Sequence, residues 1–482
     1  MAAVHFRTLR AAAPALLALA LAACPGGDSG NGGQPDTGGQ PGSGSGGGVT
    51  TGPLPPLPPG LPTPYLSGNV PTVVPPRPDS VTSPTASRPW FDVFSWQSFI
   101  ALSWPASQQG RGNPQSPADS SVFLNAANGG QLTWGTYKES WELFGQGNAR
   151  PSAFDDWNSP VEPCGGNLQP GQKAFEFISK TNSLFNTAAE SFSMPLIDQQ
   201  RGYARFEVRY NRAQYDTIRG PDGDTTKYLY LSRNWTGNIP FQMPASTASS
   251  VGSIMIKASW KPLTAQDDST KYYHVRALVD NGGGQGCQPT LMGLVGLHIV
   301  QKTNEFPQWI WSTFEHVSNV PGQGAVPNGQ GTYSYNNGTP NPLTPGGWAN
   351  RPATLDVLPV DQRVPVQVTR LNPIPTTPQG SSTADINNIY QSYLKNTVWA
   401  NYQLVMTQWP SQPSQFTLVD SGGVYPSGSG YPFPQFGVTN TTMETYVQSR
   451  QDAQPAGGNS CMQCHWNAGE TDFSWGLKRR AH

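Results

Sequence analysis

Tyr203-Ala-Arg-Phe-Glu-Val-Arg-Tyr210 is a short run of aromatic and β-branched residues bounded by Gly202 and Asn211, the pattern of a β-strand. Similar runs follow at Lys227 to Leu231, Ser253 to Trp260 and Lys271 to Val279. Leu291 to Lys302 and Gln308 to Val317 read as a further pair around Thr303-Asn-Glu-Phe-Pro307, a long loop for a hairpin. Helical spacing is confined to fewer places. Phe91, Phe94, Phe99 and Leu102 predict a helix over Phe91 to Trp104 that stops at Pro105. Trp134, Tyr137, Trp141 and Phe144 predict a second over Leu132 to Phe144. After the Gly/Pro-rich stretch Pro321 to Gly347 come a helix near Ala384 to Lys395, a strand near Thr397 to Trp409, and a short helix capped by Asn440. The fold class is therefore α+β, mainly β, with no internal repeat.

Composition supports a packed domain of this kind. The 482 residues include 15 Trp, 17 Tyr and 19 Phe, a large apolar payload. Only 12% are charged, about half the usual share. With 29 Lys+Arg against 30 Asp+Glu and no basic run longer than Lys478-Arg-Arg480, the charge pattern excludes nucleic acid as a partner.

The N-terminus has the layout of an export signal. Arg7 and Arg10 precede the apolar run Ala11 to Ala23, which is too short to span a bilayer as a helix. The run ends Leu21-Ala-Ala-Cys24, which resembles a bacterial lipobox. That resemblance implies cleavage after residue 23 and acylation of Cys24, hence a lipid anchor. Pro25 as second mature residue favours the outer membrane by the same resemblance, with the domain on the periplasmic or cell-surface side. The alternative is an ordinary secretory signal with Cys24 incidental. Residues 25–88 hold 15 Gly, 15 Pro and five charges, too little apolar surface for a core, and predict a disordered tether over 24–88. The expected organisation is thus a signal over 1–23, the tether, a β-rich domain over 89–439 and a C-terminal segment over 440–482.

That segment contains Cys461-Met-Gln-Cys-His465, the C-x-x-C-H pattern of covalent c-type haem attachment. Two thiols three positions apart can each add to one vinyl group of a single porphyrin, and the adjacent His can reach the iron as proximal ligand. Rival chemistry fits less well. A structural zinc site needs four ligands and no second C-x-x-C exists. A thioredoxin-like pair belongs near the start of a βαβ unit, whereas 18 residues follow Cys464. A Cys461–Cys464 disulfide would be short and strained. One motif implies one haem c. For the distal position the candidates are Met443 and His316, with His298 behind them; each has a plain alternative as core filler or hydrogen-bonded strand residue. Cys164 and Cys287, both in Gly-containing loops, are expected to pair as a disulfide in an oxidising compartment, a free thiol being the alternative.

Asn440-Thr-Thr-Met-Glu-Thr-Tyr446, Ser460-Cys-Met-Gln-Cys-His465 and Thr471-Asp-Phe-Ser474 resemble blocks of uncharacterised bacterial cytochrome c family proteins. Trp96-Gln-Ser-Phe-Ile-Ala-Leu102 and Trp311-Ser-Thr-Phe-Glu-His316 resemble further blocks of the same proteins. The resemblance implies haem c binding and electron transfer to a redox partner protein, carried onto Cys461, Cys464 and His465 alone. It implies no substrate. Two function classes follow: a monohaem electron carrier, or a haem-assisted oxidoreductase or ligand-binding protein in which the β domain or an open iron handles a small molecule. No G-x-S-x-G, H-E-x-x-H or P-loop pattern supports the second.

Overall fold

The computed structural model describes residues 57, 59–145, 147–157, 164, 172–175, 195–235, 242–280, 287–322, 333–338, 360–413, 432–435, 437–448, 460–466 and 468–481. The signal sequence, Cys24 and the Gly/Ser-rich part of the tether lie outside the described residues.

Among the described residues nine strands and seven α-helices form. The strands are β1 (Lys138–Glu139), β2 (Lys173–Phe175), β3 (Arg205–Tyr210), β4 (Ile254–Pro262), β5 (His274–Asp280), β6 (Cys287–Gln301), β7 (Ile310–His316), β8 (Tyr402–Pro410) and β9 (Pro432–Phe433). The helices are α1 (Pro84–Leu102), α2 (Ser120–Leu124), α3 (Ser140–Phe144), α4 (Arg212–Arg219), α5 (Thr383–Tyr393), α6 (Cys461–Trp466) and α7 (Trp475–Arg480). The sheet runs β1-β3-β4-β6-β7-β8-β9, antiparallel throughout, while β5 pairs with β6 and carries β2 in parallel. The α+β, mainly β expectation holds.

Every residue of β7 is buried, so both faces of the sheet are covered there. On one face lies α1, begun by the Ser83 hydroxyl, which accepts from the Ala86 amide, and by Pro84 in its first turn. Its Phe99 stacks on Phe314 at 4.5 Å, and its Trp96 stacks on Tyr390 of α5 at 5.2 Å. Ser95 joins Ser312 and Thr407 at 2.7 Å each, tying the helix to β7 and β8. On the other face lies the C-terminal segment. Gly296 of β6 permits the close approach, because a Cβ there would lie 2.3 Å from Thr442 Oγ1. The segment over 440–482 is thus one layer of the domain and not an appendage.

Four expectations are corrected. Lys227 to Leu231 forms no strand: the Asp224 side chain accepts from the Thr226 amide and starts a 3-10 turn, after which Leu229 and Tyr230 donate to the Ile218 carbonyl at the end of α4. Their apolar side chains fill the core from a loop. Leu132 to Phe144 is not one helix, because Lys138 and Glu139 pair with Tyr210 and Arg209 as a sheet edge. After Asn440 the chain makes a turn and a 3-10 stretch (Thr445–Val447) in place of a short α-helix. The tether, finally, docks well before residue 88. Leu61 and Val74 are buried in the main core, Gly68 donates to the Pro117 carbonyl at 2.8 Å, and Arg77 lies over the Phe91 ring. Proline stiffens this stretch in advance, so docking it costs less entropy than composition alone suggests.

Cys164 and Cys287 stand at disulfide distance, with Cα atoms 5.4 Å apart, joining the loop at 164 to the first residue of β6. Among the described residues no helix is long and apolar enough to cross a membrane.

Candidate functional site

Strand alternation decides which side chains face the C-terminal segment. In register across the sheet, Val208, Lys257, His298, Thr313 and Met406 form one row on that face. Met255, Val300, Trp311 and Gln408 form the next row. The α6 helix rests on these two rows. Gln408 accepts from the Met462 amide at 2.8 Å, satisfying a first-turn N–H of the helix, and donates to Ser460 Oγ at 2.9 Å. Met462 is fully buried in the main core, so it serves as the helix's apolar anchor. The segment before the motif is held in the same way. Asn440 donates to the Phe314 carbonyl and Thr313, Thr441 donates to Glu315, and Thr442 shares a hydrogen bond with Ser259.

Cys461 and Cys464 form no disulfide and are half-buried. Their i,i+3 spacing on α6 puts them on one side of the helix. His465 follows directly and is 8% exposed. Its Nδ1 donates to the Phe473 carbonyl at 2.7 Å, which fixes the ring and its tautomer. Nε2 then keeps a lone pair, and Lys257 Nζ of β4 donates to it at 3.2 Å. The Trp311 ring lies 4.4 Å from the imidazole and closes its flank.

The Phe473 carbonyl is aimed by the turn after α6. Asp472 and Phe473 both take left-handed backbone conformations, φ 49° and 65°. For a non-glycine residue this costs roughly 1–2 kcal/mol and needs a compensating hold. The Asp472 carboxylate supplies it, accepting from Lys302 Nζ at 2.5 Å, the Met243 amide at 2.7 Å and Trp309 Nε1 at 3.3 Å. Burial pushes the Asp472 carboxyl up and the Lys302 ammonium down, each opposed by the charge of the other. Thr471 donates to the Ala468 and Ser474 carbonyls, and Trp475 Nε1 donates to the Cys464 carbonyl at 3.2 Å. The Thr471-Asp-Phe-Ser474 block therefore orients His465 and ties the strand sheet to the motif.

The distal candidates are dispersed. His316 is on the opposite face of the sheet, with Nε2 donating to the Lys271 carbonyl at 2.9 Å and Nδ1 accepting from the Ser318 amide. Its ring stacks on Tyr272 at 4.0 Å, and burial pushes its pKa down to about 4. The sheet thus separates His316 from His465. Met443 is fully buried in a second apolar cluster with Phe206 and Val295, while Met462 and Trp466 belong to the main one. His298 is on the motif face, directly across from Lys257, and its Nε2 pairs with Glu444 at 3.1 Å. Lys257, Trp311 and Asp472 are the site residues that sequence reasoning missed. Asp472 lay inside a block noticed only by resemblance, and Lys257 carries no local signal at all.

Among the described residues no three His, Cys, Asp or Glu side chains are grouped to hold a metal ion. The donor set here is two thiols outside any disulfide and one imidazole with a directed lone pair. That set suits a prosthetic group bringing its own equatorial nitrogens, so the residues present fit a haem. Comparison with protein-family models, curated proteins and solved structures finds no match.

Proposed function

We propose that this chain is an exported, lipid-anchored monohaem c-type cytochrome that passes electrons to a redox partner protein. The observation that carries the reading is the His465 ring, whose Nδ1 is tied to the Phe473 carbonyl so that Nε2 keeps its lone pair, beside two cysteines that form no disulfide. Metal-ligating histidines almost always donate their other ring N–H in this way, which raises their basicity and holds their orientation.

In this reading Cys461 and Cys464 would hold the porphyrin, each S–H adding across one vinyl C=C with no atom lost, and His465 Nε2 would be the protein's ligand to the iron. The haem supplies a reversible one-electron ferric–ferrous couple. The chain's own residues do the rest: Trp311 and the buried Met462 exclude water, Gln408 anchors the helix, and the Asp472 turn keeps the ring from rotating. Resemblance of the N-terminus to a lipobox supports an anchor at Cys24 and a periplasmic or cell-surface location.

The test is a denaturing gel stained for haem, on protein made with a haem-attachment system, beside Cys461→Ala/Cys464→Ala. Stain in the wild type and none in the double variant is expected. An unstained wild type overturns the reading. Reduced protein that ignores CO and peroxide supports a carrier, whereas CO binding favours the small-molecule alternative.

A further inference from the structure

We propose that the cleft between α1 and the proline-rich strap preceding it binds a small neutral aromatic compound that carries a hydroxyl group. The proposal does not depend on the haem reading. The cleft has a volume of about 300 Å³. Its walls are the rings of Pro62, Pro71 and Pro75 on the strap and of Phe94 on α1. Tyr65 and Val73 also line it and are 47% and 45% exposed, so they form a rim open to solvent. Thr72 and Gln97 complete the lining with their polar groups.

The strap is held as a fixed wall. Leu61 and Val74 anchor it in the main core, and the Gly68 amide donates to the Pro117 carbonyl at 2.8 Å between them. Gln301 of β6 ties it to α1, donating to the Pro71 carbonyl at 2.5 Å and accepting from Ser98 Oγ at 3.1 Å. Proline fixes φ, so the strap resists collapse onto Phe94, and a preformed cleft costs its ligand little ordering entropy. Three features then select the ligand. The described lining residues carry no charge, so an ion would lose its hydration without compensation. The flat faces of Phe94, Tyr65 and the prolines suit a ring, and the volume takes about two fused rings. Gln97 supplies the polar group. It is only 4% exposed, and its Nε2 donates to the Tyr390 hydroxyl at 2.9 Å. Its Oε1 accepts no hydrogen bond among the described residues, which leaves a nearly buried acceptor in the lining of the cleft. A ligand hydroxyl can donate to it.

The experiment is calorimetric titration of the full chain with 1-naphthol, 1-methoxynaphthalene and 1-naphthoate, on wild type, Val73→Trp and Gln97→Leu. Saturable binding of 1-naphthol to one site of the wild type is expected. Methylating the hydroxyl removes the donor and should weaken binding about fivefold, while the carboxylate should bind at least about tenfold more weakly. Val73→Trp fills the cleft from its exposed rim and should abolish binding with the thermal midpoint unchanged. Gln97→Leu should bring 1-naphthol and its methyl ether to equal affinity. The proposal is overturned by a wild type that does not bind 1-naphthol saturably or binds the ether equally well. Binding that survives Val73→Trp, or a preference for the hydroxyl that persists in Gln97→Leu, also overturns it. If Gln97→Leu fails to fold, the wild-type series and Val73→Trp decide the question.

Discussion

On one face of the sheet, α1 brings Phe91, Phe99 and Trp96 into ring contact with the strands, Tyr390 of α5 stacks on Trp96, and burial of carbon surface holds the layer. On the other, short turns carrying Asn440, Thr441 and Asp472 are held by directed polar bonds to the sheet, Gln408 of β8 holds the start of α6, and Met462 is the apolar anchor. The first arrangement resists rotation only in bulk. The second holds one imidazole at a set angle, which a metal ligand needs and a core does not. A domain that covers its sheet by packing on one side can thus accept a strained turn on the other.

Substitutions can separate the two kinds of cover. Trp96→Ala removes a fully buried indole and is expected to lower stability by about 4 kcal/mol in chemical denaturation. Haem content per folded molecule should not change. Asp472→Ala leaves the Lys302 ammonium buried without its partner and is expected to cost about 3 kcal/mol. Here haem loading should fall as well, because the Phe473 carbonyl loses its aim; normal loading would break the proposed division of labour.

The packed face also contains two titrating groups of opposite effect. Burial pushes the Asp92 carboxyl up to about 6, despite hydrogen bonds from Thr383 and Thr407. Its folded pKa exceeds the unfolded one, so its contribution to stability grows as pH falls from about 6 to 4. His316 is pushed down to about 4 by burial, so the unfolded chain takes up its proton first and stability falls as pH drops from about 6.5 to 4. Each effect is about 2–3 kcal/mol and the two largely cancel. Denaturation midpoints of His316→Gln between pH 7 and 4 should therefore show a gain on acidification, and those of Asp92→Asn a loss. Parallel curves for both variants would contradict the opposing signs.

The smallest expected effect is at the helix anchor. Gln408→Ala should cost about 1–2 kcal/mol by leaving the Met462 amide without its acceptor, and hydrogen exchange should show α6 opening earlier while α1 is unaffected. Cys24→Ser is expected to leave stability unchanged and to release the domain from the membrane fraction. Retention there would remove the anchor at Cys24.

What the chain made legible was whatever depends on neighbours in sequence. The strands at 205–210, 254–262, 287–301 and 310–316 could be read because β-branched and aromatic runs between turn residues have few other uses. The two thiols and the histidine could be named as candidates because the proposed haem attachment requires that spacing. The segments misread, 132–144 and 227–231, have apolar patterns that a tertiary partner reassigns: pairing with β3 turns Lys138 and Glu139 into an edge strand, and α4 draws Tyr230 inward from a loop. Only the folded sheet decided which side chains share a face. Alternation sends His316 away from His465 and brings Lys257 to it, although 208 residues separate Lys257 from His465 in the chain. A local pattern can name a ligand, but the direction of a lone pair and what stands opposite it are set by strand register and by contacts between distant segments.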